Sequence, residues 1–180
     1  KDGTISNYFD SDELEVHALA ATPSGVLYVA TSPNGHIYRV EPNGSASQWF
    51  NPETKYIWAL AVDGVGNLFA GTGEKGAIYK ITPNGEGELF YETDAAHILA
   101  LTFDIQGNLL VGTETPGQVL RVDSSGQAFV ALNSSYREIR ALTVDESGNI
   151  YAVALNSGSS SVARPIAHAP STNLQPSVSI

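Results

Sequence analysis

Positions 17, 58, 99 and 140 lie one step of 41 residues apart and hold His17, Trp58, Leu99 and Arg140. A scaffold has no reason to demand an imidazole, an indole, an aliphatic chain and a guanidinium at one repeated place. Variation of this kind is what a site grafted onto a scaffold looks like. Neighbouring segments add Lys55, Tyr56, His97, Tyr136 and Arg137, and a second set of loops adds Ser32, Glu74, Glu114 and Thr115. Aromatic faces stack on rings, guanidinium groups hold anions and carboxylates accept from hydroxyls or amines. Gathered on one rim, these groups suit a small molecule such as a sugar, a peptide or a small anion. The plainer alternative packs Tyr56 and Trp58 between repeat units and leaves the charges in water.

Other chemistry is less well supplied. His17 and His97 need a third ligand to hold a metal, and spacing alone does not supply one. Asp63-Gly-Val-Gly-Asn67, Asp104-Ile-Gln-Gly-Asn108 and Asp145-Glu-Ser-Gly-Asn149 lack the alternating oxygen ligands and terminal Glu of a calcium loop. They read as hairpin turns in which Asp bonds its own backbone and Gly takes positive φ. Thr72-Gly-Glu-Lys-Gly76 hints at a phosphate loop, but a strand follows where a phosphate cradle needs a helix. His36 and His168 are expected in solvent. No catalytic residue, metal or cofactor is assigned.

The elements that carry these residues repeat. Ala18, Ala59, Ala100 and Ala141 share the 41-residue step, as do Gly25, Gly66, Gly107 and Gly148. Each unit alternates apolar and polar residues through four short runs joined by turns, and no window shows a helical period. In the second unit the runs are Ile57–Val62, Leu68–Gly71, Ala77–Ile81 and Glu88–Tyr91. Four antiparallel strands per 41 residues predict an all-β chain of β-propeller blades. Strands a to d run outward from the axis. Ala-rich strand a suits the crowded centre, and Trp49-Phe50 and Phe90-Tyr91 give strand d its bulk.

The phase of the repeat predicts a propeller segment over residues 1–155, with complete blades at about 16–56, 57–97 and 98–138. Residues 1–15 open on a strand d around Tyr8-Phe9, and residues 139–155 supply strands a and b of a partial blade. Residues 156–180 hold seven Ser, three Pro and a single Arg, and read as a tail or inter-blade insertion. Within them Val162–Ala167 is an edge-strand candidate limited by Pro165. Such a chain leaves two blade faces open. It closes as a four-bladed ring with the tail as last strand, or pairs with a second copy, or is completed by another segment of its parent protein. Completion by another chain is favoured.

The run Ala-Leu-x-x-Asp-x-x-Gly-Asn-Leu-x-x-Gly-Thr at 100–113, nearly repeated at 59–72, resembles the NHL-repeat propellers. It is also similar to the gluconolactonase and streptogramin-lyase propellers. The resemblance covers residues 1–155 and implies a scaffold. The lactonases it points to hold a divalent metal on the axis with Glu, Asn and Asp, and the lyases use His and Glu there. No matching motif is found, so no catalytic residue carries over.

Composition narrows the partners. Lys+Arg is 9 against 19 Asp+Glu, a net charge of −10. That argues against a nucleic-acid partner and an anionic membrane surface. No apolar run is long enough for a membrane span, so no membrane insertion is expected. The absence of Cys removes disulfides, thiolate catalysis and sulfur-ligated zinc. These features predict a non-enzymatic binding or scaffold module of a larger exported bacterial protein, periplasmic or secreted. The alternatives are a metal-dependent lactonase- or lyase-type enzyme, and a structural fragment that assembles through open edges.

Overall fold

The computed structural model describes residues 3, 5 and 7–156. The Ser/Pro-rich stretch from residue 157 onward, with His168 and the edge-strand candidate at Val162–Ala167, lies outside the described residues.

Tight turns join short apolar runs throughout, and the runs pair as antiparallel strands. The first sheet holds β1 (Glu15–Ala21), β2 (Leu27–Ser32), β3 (Ile37–Val40) and β4 (Ala46–Phe50). The second holds β5 (Ile57–Val62), β6 (Leu68–Thr72), β7 (Ala77–Ile81) and β8 (Gly87–Glu92). The third is built from β9 (His97–Phe103), β10 (Leu109–Glu114), β11 (Gln118–Val122) and β12 (Ala128–Asn133). A last pair, β13 (Glu138–Val144) and β14 (Ile150–Leu155), joins the third sheet through one bridge between Glu114 and Glu138. Three four-stranded blades and a trailing a–b pair are therefore present, in the expected order.

The turns form as their residues dictate. Asp104 Oδ1 accepts from the backbone N–H of Gln106 and Asn108 at 2.9 and 2.8 Å, and Oδ2 accepts from Asn108 Nδ2 at 3.0 Å. Gly107 takes φ +83°, open to glycine and strained for other residues. Asp63 and Asp145 make the same bonds. The carboxylate oxygens accept from the turn's own N–H groups, as the hairpin reading expects.

Inner strands β1, β5, β9 and β13 touch in sequence, and the apolar core lies in the seams between blades. Val26, Tyr28, Ile37, Ile57, Leu68 and Ile81 pack together between the first and second blades. Phe69, Ile78, Ile98, Leu109, Val111 and Leu120 do so between the second and third.

The leading segment differs from the expectation. Residues 7–14 carry no strand. Phe9 still packs on Tyr38 at 5.2 Å between ring centroids, as Phe50 packs on Tyr79 one repeat later at 6.0 Å. Tyr8 Oη donates to Glu41 O at 2.6 Å. The segment thus occupies the place of a strand d against the next blade. The strand c that would pair with it is missing among the described residues, so no ladder forms. His36, expected in solvent, is only 23% exposed, and its Nδ1 lies 3.1 Å from Glu13 Oε1 at the end of this segment.

Candidate functional site

Each candidate position on strand a is a β-bulge. The ladder skips residue 17 between Val16 and Ala18, residue 58 between Ile57 and Ala59, and residue 140 between Ile139 and Ala141. In the third blade Thr113 pairs with Ile98 and Gly112 with Ala100, so Leu99 is skipped as well. A bulged residue is free of the ladder, and its side chain is re-aimed. This explains why His17, Trp58, Leu99 and Arg140 vary where the rest of the strand does not.

Four of the expected residues, His17, Tyr56, Trp58 and His97, come together, with the expected Ser32 beside them. The Tyr56 and Trp58 rings stack at 5.0 Å with 8° between planes. His17 lies 4.5 Å from Trp58, ring to ring. Trp58 Nε1 donates to His97 Nδ1 at 3.3 Å. His17 Nε2 is 2.7 Å from Ser32 Oγ and 3.3 Å from Glu15 Oε2. All four side chains are half-buried, so they form an accessible aromatic and imidazole rim across the first two seams. Gly73, at the loop after β6, makes room for it. A Cβ there would lie 2.7 Å from Trp58 Nε1 and 2.9 Å from His97 Nδ1.

A second group sits at the next seam. Glu138 is fully buried, and Arg140 Nε donates to its Oε2 at 2.6 Å. Among the described residues Glu138 Oε1 has no hydrogen-bond partner. Glu114 pairs across the backbone with both His97 and Glu138, which links the two groups. Its Oε1 is 3.4 Å from Arg137 Nη2, and Arg137 Nε donates to Thr115 Oγ1 at 2.9 Å. Two carboxylates facing across a ladder repel, and Arg137 and Arg140 relieve that repulsion separately.

The remaining expected residues stand apart from these groups. Glu74 is exposed and faces Lys55 at 3.9 Å. Tyr136 is half-exposed on the loop after β12. Glu15, Gly73 and Glu138 were not singled out by sequence. Glu15, Tyr56, His97 and Glu138 occupy one repeat position, 41 residues apart, and that same step was the signal available for finding them.

Elsewhere, a cleft of about 360 Å³ lies at the opposite end of the inner strands, lined by Leu19, Ala20, Leu60, Ala61, Leu101 and Thr102 among others. It offers little beyond backbone and methyl groups. Asp104, on the turn between β9 and β10, is a carboxyl whose titration the fold shifts. Burial pushes the Asp104 carboxyl up, but bonds from Asn108 and Gln106 and the charge of Arg121 outweigh it and hold it below the ordinary value. Arg121 Nε approaches Asp104 Oδ2 at 2.9 Å as an ion contact without hydrogen-bond alignment.

Among solved structures, the chain is similar to virginiamycin B lyase from Staphylococcus aureus, with 14% identity and a TM-score of 0.63, over 79% of this chain and 56% of that one. It is similar to a chain of the nidogen/laminin complex at 16% identity and TM-score 0.70, over 77% and 56%. The chain has a β-propeller fold. A putative gluconolactonase matches this propeller at 16% identity and TM-score 0.63, over 80% and 59% of the two chains. The propeller described here spans a little over half the length of these three. No protein-family model matches the sequence, and neither does any curated protein. Among the described residues no helix is long and apolar enough to cross a membrane.

The axial metal expected of lactonase- and lyase-type propellers has no matching cluster among the described residues. Among the described residues no three His, Asp or Glu side chains converge on one point. Glu114 and Glu138 are each engaged by an arginine instead.

Proposed function

We propose that this propeller is a non-enzymatic binding module of a larger exported bacterial protein, presenting the rim around Trp58 to a ligand. The stacked Tyr56–Trp58 pair, flanked by His17 and His97, is the observation that carries this reading. A core aromatic would be fully enclosed, whereas these rings sit half-buried, with His17 and Trp58 at bulged positions freed from the ladder. A half-buried aromatic platform beside hydrogen-bonding groups favours a ring-bearing polar ligand, such as a sugar or an aromatic side chain of a peptide. Arg140, half-exposed one seam further along, adds a guanidinium for an anionic group on the ligand. The acidic balance and lack of cysteine are compatible with an extracytoplasmic location.

Calorimetric titration with a panel of oligosaccharides and short peptides tests the proposal. Binding by one class that is lost in Trp58→Ala supports it. Binding that survives Trp58→Ala contradicts it. Elemental analysis of the purified protein addresses the enzyme alternative, because a stoichiometric divalent metal would favour a lactonase- or lyase-type activity over this reading.

A further inference from the structure

The first two seams differ at the end where the a–b turns lie. At the second seam three rings fill the space. Phe69 lies 5.2 Å from Phe90 and 5.3 Å from Phe103, both edge-on. The opening left beside them is about 70 Å³. One repeat earlier, at the first seam, the same positions hold Tyr28, Trp49 and Val62. There a cleft of about 390 Å³ opens between the turns at 22–25 and 63–66. Val62 lacks the ring that Phe103 brings. Trp49 does not take up the space, because its ring lies against the Arg39 guanidinium at 4.8 Å.

The polar groups change in step. Arg39 and Arg121 hold one repeat position. Arg121 Nε is 2.9 Å from Asp104 Oδ2, a carboxylate on the a–b turn of its own blade. The first blade has Thr22 where the others have Asp63, Asp104 and Asp145. Thr22 Oγ1 still serves the turn, accepting from the Val26 N–H at 3.1 Å, but it brings no charge to Arg39. Among the described residues the one ion pair of Arg39 is with Glu41, 2.8 Å from Nη1 and 36% exposed. Asp63, on the facing turn, has its carboxylate engaged by Val65 N–H, Asn67 N–H and Asn67 Nδ2.

Space and charge are thus vacated at the same place. The cleft has the size of a small-molecule site, with apolar walls at Val26, Val62 and Pro83. Tyr28 adds a hydroxyl that Phe69 lacks. A guanidinium without its turn carboxylate is a donor for an acid group, and the apolar walls suit a ring. We infer that the first seam holds a second binding site, at the opposite end of the inner strands from Trp58, for a free ring-bearing carboxylate. The acid group supplies to Arg39 the charge that Asp104 supplies to Arg121, and the ring takes the space that Phe103 fills one seam later.

Methyl NMR of the full chain tests the site. Titration with phenylacetate should move the Val62 and Val65 methyl signals to saturation. Phenylethylamine, its cationic counterpart, should leave them in place. Both valines line the cleft at the turn end, so the result is independent of the rim around Trp58. Arg39→Gln should weaken phenylacetate binding by about tenfold. Val62→Phe restores the ring of the second seam and should abolish the Val65 response. The inference is overturned by no response to phenylacetate, by an equal response to the amine, or by a Val65 response that survives in a Val62→Phe chain with wild-type circular dichroism. Should Val62→Phe lose its β signature, Arg39→Gln decides, and an unchanged affinity for phenylacetate is equally contradictory.

Discussion

Trp58 Nε1 donates to His97 Nδ1 across the seam between the second and third blades, at 3.3 Å. The bulged residue of one blade reaches the first residue of strand a in the next. His17 approaches Tyr56 in the same way, at 6.3 Å between rings. By the same step Leu99 corresponds to Trp58, and Glu138 to His97. A leucine has nothing to donate, which accounts for the unpartnered Oε1 of Glu138.

Gly73→Ala tests the Trp58–His97 contact. Its Cβ meets both bonded nitrogens below 3.0 Å, so the ring pair must separate. Ligand affinity should fall by about tenfold, or about 1.4 kcal/mol, and Trp58 emission should shift. Unchanged affinity in calorimetry would show that the bond does not shape the rim.

Arg140→Ala leaves a buried carboxylate without its partner. Denaturant unfolding should show a loss of roughly 1–3 kcal/mol, tempered by the half-exposed position of the arginine. Arg140→Ala combined with Glu138→Leu should recover most of that loss, because removing both partners removes the unpaired charge. An additive double variant would contradict the pairing.

Asp104 should make stability depend on acid. Its folded value lies below the ordinary one, so the unfolded chain binds the proton more readily. The contribution is full above the unfolded value of about 3.9 and disappears as pH falls through the lower folded value. Asp104→Asn should flatten that part of the stability profile, measured by urea unfolding between neutral and strongly acid pH. An unaltered profile would mean that the turn does not hold the charge.

Gly107→Val separates backbone strain from crowding. No atom lies within 4 Å of a Cβ at this position, and φ is +83°. A cost of about 1–3 kcal/mol in thermal unfolding is expected from the dihedral alone. A neutral result would show that the turn can relax.

The blades were legible because one step of 41 residues places alanines, turn glycines and apolar runs in phase. The bulge positions were legible for the same reason, as the places where that phase holds and residue type does not. Glu138 was missed because its burial depends on the bridge to Glu114, a register detail between blades. Gly73 was missed because its role comes from a ring in another strand and a ring in another blade. The leading strand d was read correctly in its packing, through Phe9 on Tyr38, but not in its pairing. Side-chain periodicity reports the first, and only a neighbouring strand supplies the second.

The chain has two tryptophans, and their indole N–H signals report separately on the rim and on the outer strands. Trp58 lies on the rim, and Trp49 lies on outer strand β4 under the Arg39 guanidinium, 4.8 Å from its ring. An NMR titration of the two indole N–H signals with pooled oligosaccharides, then pooled peptides, reads both at once. One pool should move the Trp58 signal and leave Trp49 in place. Movement of Trp49 alone, or of neither indole with any pool, would contradict a binding rim at Trp58.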